Sequence, residues 1–157
     1  MTPQSVGAGA SSLSKSRLRL WLKLLKTSSL LEEQVRRRLR EEYQSTLPRF
    51  DVMSALSRSP EGLKMSQISD MLRVSNGNVT GIVDRLTEEG LALRVAVPGD
   101  RRASLVRLTP KGKTAFADQA AAHETWINDM LDGLNADDVD GMIRRLDYLN
   151  DTLEEKT

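Results

Sequence analysis

Residues 74–90, VSNGNVTGIVDRLTEEG, constrain the fold more than any other part of the chain. Val79, Ile82, Val83 and Leu86 stand at i, i+3, i+4 and i+7, so they share one helical stripe. The opposite side carries Gly77, Thr80, Gly81, Asp84 and Glu88, flanked by Asn78 and Arg85. A glycine inside a helix costs about 1 kcal/mol against alanine. Two glycines on one outer face leave a surface that can approach another closely. Ser75 is a good N-cap. Small polar groups at Asn76, Asn78 and Thr80 suit a helix that enters a DNA groove N-terminus first. Asn76-Gly77 is also a strong two-residue hairpin signal, but the residues around it repeat at the helical period without alternation.

The flanking segments give this helix its context. Pro48 sits near the start of a short helix, PRFDVMSALSRS, whose buried side is Phe50, Met53 and Leu56 with Val52 and Ala55. Residues 61–63 form a turn. Ser66 caps a second short helix with Ile68, Met71 and Leu72 inward, and residues 73–75 lead tightly into the third. Two short helices with a brief link are helix-turn-helix geometry, the second of the pair being the recognition helix. After Gly90 the period changes. Leu91, Leu93, Val95 and Val97 alternate with Ala92, Arg94 and Ala96, which predicts a strand. Pro98-Gly99 fits a type II turn, Asp100, Arg101 and Arg102 form the tip, and 104–108 make a returning strand. An arginine-tipped hairpin directly after a recognition helix makes a winged helix-turn-helix. One arginine can reach a neighbouring minor groove, where the potential is most negative. Asp100 holds the tip by pairing with a neighbouring arginine.

Long helices surround this module. Residues 1–12 are rich in Gly, Ala, Ser and Pro and are expected to be disordered. A helix is expected over 13–44, with Leu20, Leu24, Leu31, Val35 and Leu39 along one face and Trp21, Leu25 and Leu30 widening it. Thr109-Pro110 opens a further helix to about 131, and 133–136 break it. The last helix, 137–154, carries Val139, Met142, Leu146, Leu149 and Leu153 at a 3.5-residue repeat, a seam for helix–helix association. The chain thus divides into a disordered 1–12, an N-terminal helix over 13–45, a winged module over 46–109 and C-terminal helices over 110–157. The fold class is mainly α with a small β-hairpin wing.

Composition excludes several functions. With no cysteine among 157 residues, disulfides, thiolate catalysis and cysteine-ligated metals are all removed. No apolar run reaches the length of a transmembrane helix, and the N-terminus lacks the core of a secretory signal. A cytoplasmic protein with no membrane partner is expected. No Gly-rich phosphate loop, metal-spaced cluster or nucleophile–base pair is present, so no enzyme and no cofactor are expected. His123, the single histidine, supports neither a zinc site nor a triad. The net charge of +1 hides an asymmetry: residues 1–45 carry +5, 46–109 carry +2 and 110–157 carry −6. An anionic partner would meet the basic side.

The segments MSQISDMLRVSNGNVTGIVDRLTEEGLALR and PGDRRASLVRLTPKG, with the order long helix, winged helix, two C-terminal helices, resemble the MarR family of winged-helix transcriptional regulators. The resemblance spans roughly 18–150. It implies a homodimer in which the first and last two helices interleave, so that 13–45 and 110–157 are dimerisation helices. It also implies a pseudo-palindromic operator in double-stranded DNA, commonly repressed, and a small-molecule pocket where those helices meet the winged module. Ser75, Asn76, Gly77, Asn78, Thr80 and Arg85 fall on the family's recognition helix. Asp100, Arg101 and Arg102 match its acidic-then-basic wing. Asp84 lies where it could pair with a wing arginine and position the wing, and Ser66 where it could donate to a phosphate. The lack of cysteine departs from the peroxide-sensing branch. The SNGNVTG helix start resembles members that control aromatic-acid catabolism.

Trp21, Leu25, Arg49, Phe50, Met53, His123, Trp126 and Met130 are candidates for the pocket, with core packing as their other role. Arg49 or Lys23 could meet an aromatic carboxylate. Arg17, Arg19 and the run Arg36, Arg37, Arg38 and Arg40 could contact the phosphates of a CoA thioester, DNA phosphate, or only water. A competing class is a winged helix that binds protein, which near-neutral charge permits and the arginine-tipped wing argues against.

Overall fold

The computed structural model describes residues 4–72 and 76–157. The first helix, α1 (Gln4–Tyr43), begins well before the expected start at Leu13. The tail expected to be disordered is therefore helical from Gln4, since extending a formed helix needs no new nucleus and Ala8 and Ala10 favour the state. Gln44 then turns the chain with φ of 51°, a left-handed conformation that is uncommon for a residue with a Cβ. Thr46 caps α2 (Leu47–Ser57) by accepting from the Arg49 backbone N–H at 3.3 Å.

The next helix, α3 (Met65–Leu72), starts one residue earlier than expected. Ser66 is not its cap. The Lys64 backbone N–H donates to Gln67 Oε1 at 2.8 Å instead, and Ser66 lies exposed in the first turn. Met71, expected inward, is 48% exposed, whereas Ile68 and Ser69 are buried. A helix of two turns presents only a narrow buried stripe, and the position after Ser69 on that stripe is Leu72.

The fourth helix, α4 (Asn76–Glu88), buries Val79, Val83 and Leu86 completely, and Ile82 packs at the edge of the core. It closes at Gly90, φ 75°. There the Leu91 N–H bonds Leu86 O and the Gly90 N–H bonds Thr87 O, which satisfies its last carbonyls.

The hairpin consists of β1 (Ala92–Val97) and β2 (Asp100–Leu108), antiparallel, with Ala92 opposite Leu108. The returning strand starts at Asp100, not Ser104, and the register shifts between Ala96 and Val97. Leu93 is exposed while Leu91 and Ala92 are buried. The wing meets the core at its base, which leaves Leu93 uncovered, while Val95 and Val97 stay half-buried on either side of exposed Ala96. Leu63, expected in a plain turn, exchanges two backbone bonds with Val106 and adds an isolated bridge to the hairpin. The core of this region joins α2, α3, α4 and the hairpin through Met53, Leu56, Ile68, Val79, Val83, Leu86 and Val106.

The Thr109 hydroxyl accepts from the Gly112 N–H at 3.0 Å and donates to Gly90 O at 2.6 Å. This capped start opens α5 (Pro110–Met130). A Cβ at Gly112 would stand 1.9 Å from Leu91 O, so the first turn of α5 rests directly on the backbone entering the wing. Phe116 packs on Phe50 with centroids 5.3 Å apart. Burial, together with the charge of Asp118, raises the Tyr43 phenol pKa.

The chain divides into two compact units, Met1–Ala121 and Ala122–Thr157. The division falls inside α5, because the first half of α5 packs on the winged core through Ala115 and Phe116. In the second unit, Asn135 and Asp138 form a reciprocal capping box for α6 (Ala136–Glu155). No residue of α6 is buried. Among the described residues no helix is long and apolar enough to cross a membrane.

Candidate nucleic-acid interface

The outer face of α4 is defined by what its inner face buries. Val79, Val83 and Leu86 point into the core, so Asn78, Thr80, Gly81, Asp84 and Arg85 are left exposed. An added Cβ at Gly81 would meet nothing within 4 Å. The glycine is therefore not required by packing inside this chain, and its helix-propensity cost is offset by no internal contact. The N-cap Ser75 lies outside the described residues. Asn76 and Gly77 belong to α4 by backbone, with side chains outside the described set, and the same holds for Arg101 within β2.

Asp84 connects α4 to the hairpin. Its Oδ1 accepts from Arg94 Nη2 at 2.6 Å. Arg94 lies on β1, so the pair ties the outer face of α4 to the base of the wing rather than to its tip. At the tip, Asp100 Oδ1 accepts from the Arg102 backbone N–H at 3.0 Å. Asp100 thus holds the tip through a local turn to the backbone two residues on, and the expected pairing with Arg101 lies outside the described side chains. Arg102 is exposed. Behind it, the Arg107 guanidinium donates to Glu61 O at 2.6 Å, which anchors β2 to the segment before α3. The exposed helix face and the basic tip thus sit on one continuous scaffold.

The MarR family model matches residues 44–103, which span α2 through the wing tip. A MarR family transcriptional regulator from Silicibacter pomeroyi is 31% identical with a TM-score of 0.72, over 92% of this chain and 97% of that one. The chain belongs to the MarR family. It is also similar to the HTH-type transcriptional regulator MhqR of Bacillus subtilis, 32% identical over 76 residues, 48% of this chain and 52% of that protein. The chain spans about half the length of the first curated relatives it matches. The PcaV regulator of Streptomyces coelicolor, solved in complex with its natural ligand, shares the fold at a TM-score of 0.63 and 24% identity, covering 84% of this chain and 89% of that one.

The MarR-type frame does not gather the expected pocket residues into one cavity within the first unit. Trp21 and Leu25 stand exposed on α1, at 54% and 44%, while Met53 is sealed in the winged core and Phe50 packs at a tilt against Phe116. Arg49 pairs with Glu89. In the second unit His123 meets the edge of Trp126 at 6.4 Å, and Trp126 is buried. Lys23, Arg17 and Arg19 are exposed. In the basic run, Arg36 pairs with Glu32 at 3.8 Å and Arg38 with Glu42 at 3.9 Å, both on the helix surface.

Two features were not singled out from the sequence. Arg94 looked like an outward strand residue, although its basic charge beyond the acidic helix face was a usable signal. The corner at Gln44 and Ser45 had no signal, since neither residue type announces a left-handed turn or a buried hydroxyl. Among the described residues no group of acidic, histidine or cysteine side chains could hold a metal.

Proposed function

We propose that the chain is a sequence-specific DNA-binding transcriptional regulator that acts as a homodimer on a pseudo-palindromic operator. The observation that carries this reading is the outer face of α4. It is exposed, polar and open at Gly81, and it is tied through Asp84 and Arg94 to a hairpin whose tip carries an exposed Arg102. A helix with small polar residues reads base edges in a major groove while a basic hairpin reaches the flanking minor groove. Asn76, Asn78, Thr80 and Arg85 are the base-reading candidates, Arg101 and Arg102 the wing contacts, and Ser66 a phosphate donor.

The dimer is supported by the apolar residues that α1 and α6 leave exposed, among them Leu20, Trp21, Leu22, Leu146, Leu149 and Leu153. Two winged modules held by these helices would address half-sites about one helical turn apart. Repression relieved by a small aromatic acid or its CoA thioester completes the proposal. Its support is that the fold relative PcaV was solved with a natural ligand, and that the α4 start resembles regulators of aromatic catabolism. The test is fluorescence anisotropy on DNA from upstream of the gene, titrated with salt and with aromatic acids and their CoA thioesters. Tight, salt-dependent binding released by one compound is the expected result. Affinity no greater than for random DNA across that region would remove the regulator reading.

A further inference from the structure

Residues 76–89 carry the wrong charge for a helix that approaches phosphate. They hold three carboxylates, Asp84, Glu88 and Glu89, and one cation, Arg85, a net charge of −2. One cation among three carboxylates is expected to be tied up within its own helix. Arg85 stands four residues before Glu89 and three before Glu88, so both are neighbours on the helix surface. Yet Arg85 makes no ion pair among the described residues. Two of the three carboxylates are instead taken by arginines from other elements. Asp84 is held by Arg94 of β1, and Glu89, one residue past the end of α4, by Arg49 of α2.

The geometry sets Arg49 and Arg85 in competition for one carboxylate. Both line a hollow of about 380 Å³ together with Asn78 and Gly81 of the exposed α4 face. The Arg49 side chain is only 21% exposed, against 52% for Glu89, and its buried Nε has no hydrogen-bond partner. Glu89 is therefore the group that holds the Arg49 guanidinium. An arginine N-terminal to a glutamate is the weaker order of an i,i+4 pair, so Arg85 is the poorer partner while Arg49 is present. The remaining cations on this side are placed elsewhere. Lys111 Nζ donates to the Glu89 backbone carbonyl at 3.0 Å, and Arg36 and Arg40 line the adjoining cleft with Ser45 and Asn78.

We infer that Arg49 is a positioning residue for DNA recognition: by holding Glu89 it keeps that carboxylate off Arg85, whose guanidinium stays available to the operator. Arg49 itself is turned to Glu89 and makes no DNA contact. The inference rests on the proposed use of α4 for DNA. It gives the ion pair between α2 and the end of α4 a role in binding that is separate from its role in stability.

The experiment uses the full chain with Arg49→Met, alone and combined with Glu89→Gln or with Arg85→Gln, and Arg85→Gln alone. Methionine keeps the apolar stem of Arg49 and leaves the half-exposed Glu89 able to hydrate, and circular dichroism checks that each variant is folded. Without DNA, phenylglyoxal labelling read by peptide mass spectrometry reports how accessible each guanidinium is. Arg85 labelling is expected to slow about threefold in Arg49→Met, within the range of an exposed ion pair, and to recover when Glu89→Gln is added. Unchanged Arg85 labelling in Arg49→Met overturns the inference. On duplex DNA from upstream of the gene, Arg49→Met should bind about threefold more weakly, and adding Glu89→Gln should restore the affinity. Both of those variants lack the ion pair, so a loss that Glu89→Gln does not restore assigns Arg49 to stability alone and overturns the inference, as does no loss at all. Placed on Arg85→Gln, Arg49→Met should cause no further loss; a loss that persists there means that Arg49 acts on DNA without Arg85, and also overturns it. Since the labelling contains no DNA, binding no tighter than to random DNA would remove the regulator reading while the labelling still decides whether Arg49 holds Glu89 off Arg85.

Discussion

The winged region and the long helices treat their apolar residues in opposite ways. Between α2 and β2, Met53, Leu56, Ile68, Val79, Val83, Leu86 and Val106 are fully or almost fully buried. Along α6 nothing is buried, and on the first half of α1 Leu18, Leu20, Trp21 and Leu22 are each more than half exposed. Soluble chains seldom leave a contiguous apolar face in water. The difference teaches that the winged region completes its own core, whereas the long helices carry apolar residues whose burial requires another surface. Stability and assembly are therefore expected to separate by mutation.

The largest effect tests the exposed helices. Burying one leucine contributes about 1.5–3 kcal/mol, so replacing Leu149 and Leu153 together by glutamate should weaken a dimer by about 3 kcal/mol or more. Sedimentation is expected to show a dimer for the unmodified chain and monomers for the variant at the same concentration, and a dimer of unchanged affinity would remove α6 from the interface. Leu86→Ala addresses the other region. A fully buried leucine truncated to alanine loses about 2–5 kcal/mol, read as a lower urea midpoint, while a loss well below 1 kcal/mol would mean that α4 does not depend on this core. Arg102→Ala is expected to cost about 1–3 kcal/mol in DNA affinity and lower the salt slope by about 1, with the melting temperature and the sedimentation profile unchanged. The smallest effect belongs to the Asp84–Arg94 pair. Both side chains are partly exposed, so Asp84→Asn should cost about 0.2–1 kcal/mol of stability. A double-mutant cycle with Arg94→Gln isolates that coupling, and strict additivity would show that the pair does not tie α4 to the wing.

Much of this contrast was legible in the chain. The 3.6-residue spacing of Val79, Ile82, Val83 and Leu86 and the 3.5-residue seam on α6 follow from local periodicity, which a linear sequence displays directly. Thr109-Pro110 announced its helix start for the same reason. What failed was decided by contacts between distant segments. Met71 and Leu93 carry apolar side chains but lie where a short helix and a projecting hairpin run out of core to cover them. Leu63 looked like part of a turn until Val106 arrived to pair with it. The pocket candidates Trp21 and Met53 shared aromatic or flexible apolar character, yet one is solvent-facing and the other sealed, a distinction that no single residue type encodes.

The sequence by itself determined the order of elements, the buried stripe of α4, the polar face opposite it and the arginine-tipped hairpin that follows. Each depends on residues a few positions apart and on backbone preferences that need no partner. Only the tertiary structure decided that Asp84 meets Arg94, that Leu63 pairs with Val106, and that Arg40, Ser45 and Asn78 surround one cleft. Those meetings depend on how the chain turns at Gln44 and Gly90. A few degrees of backbone rotation there are set by the packing of the whole core rather than by any local signal.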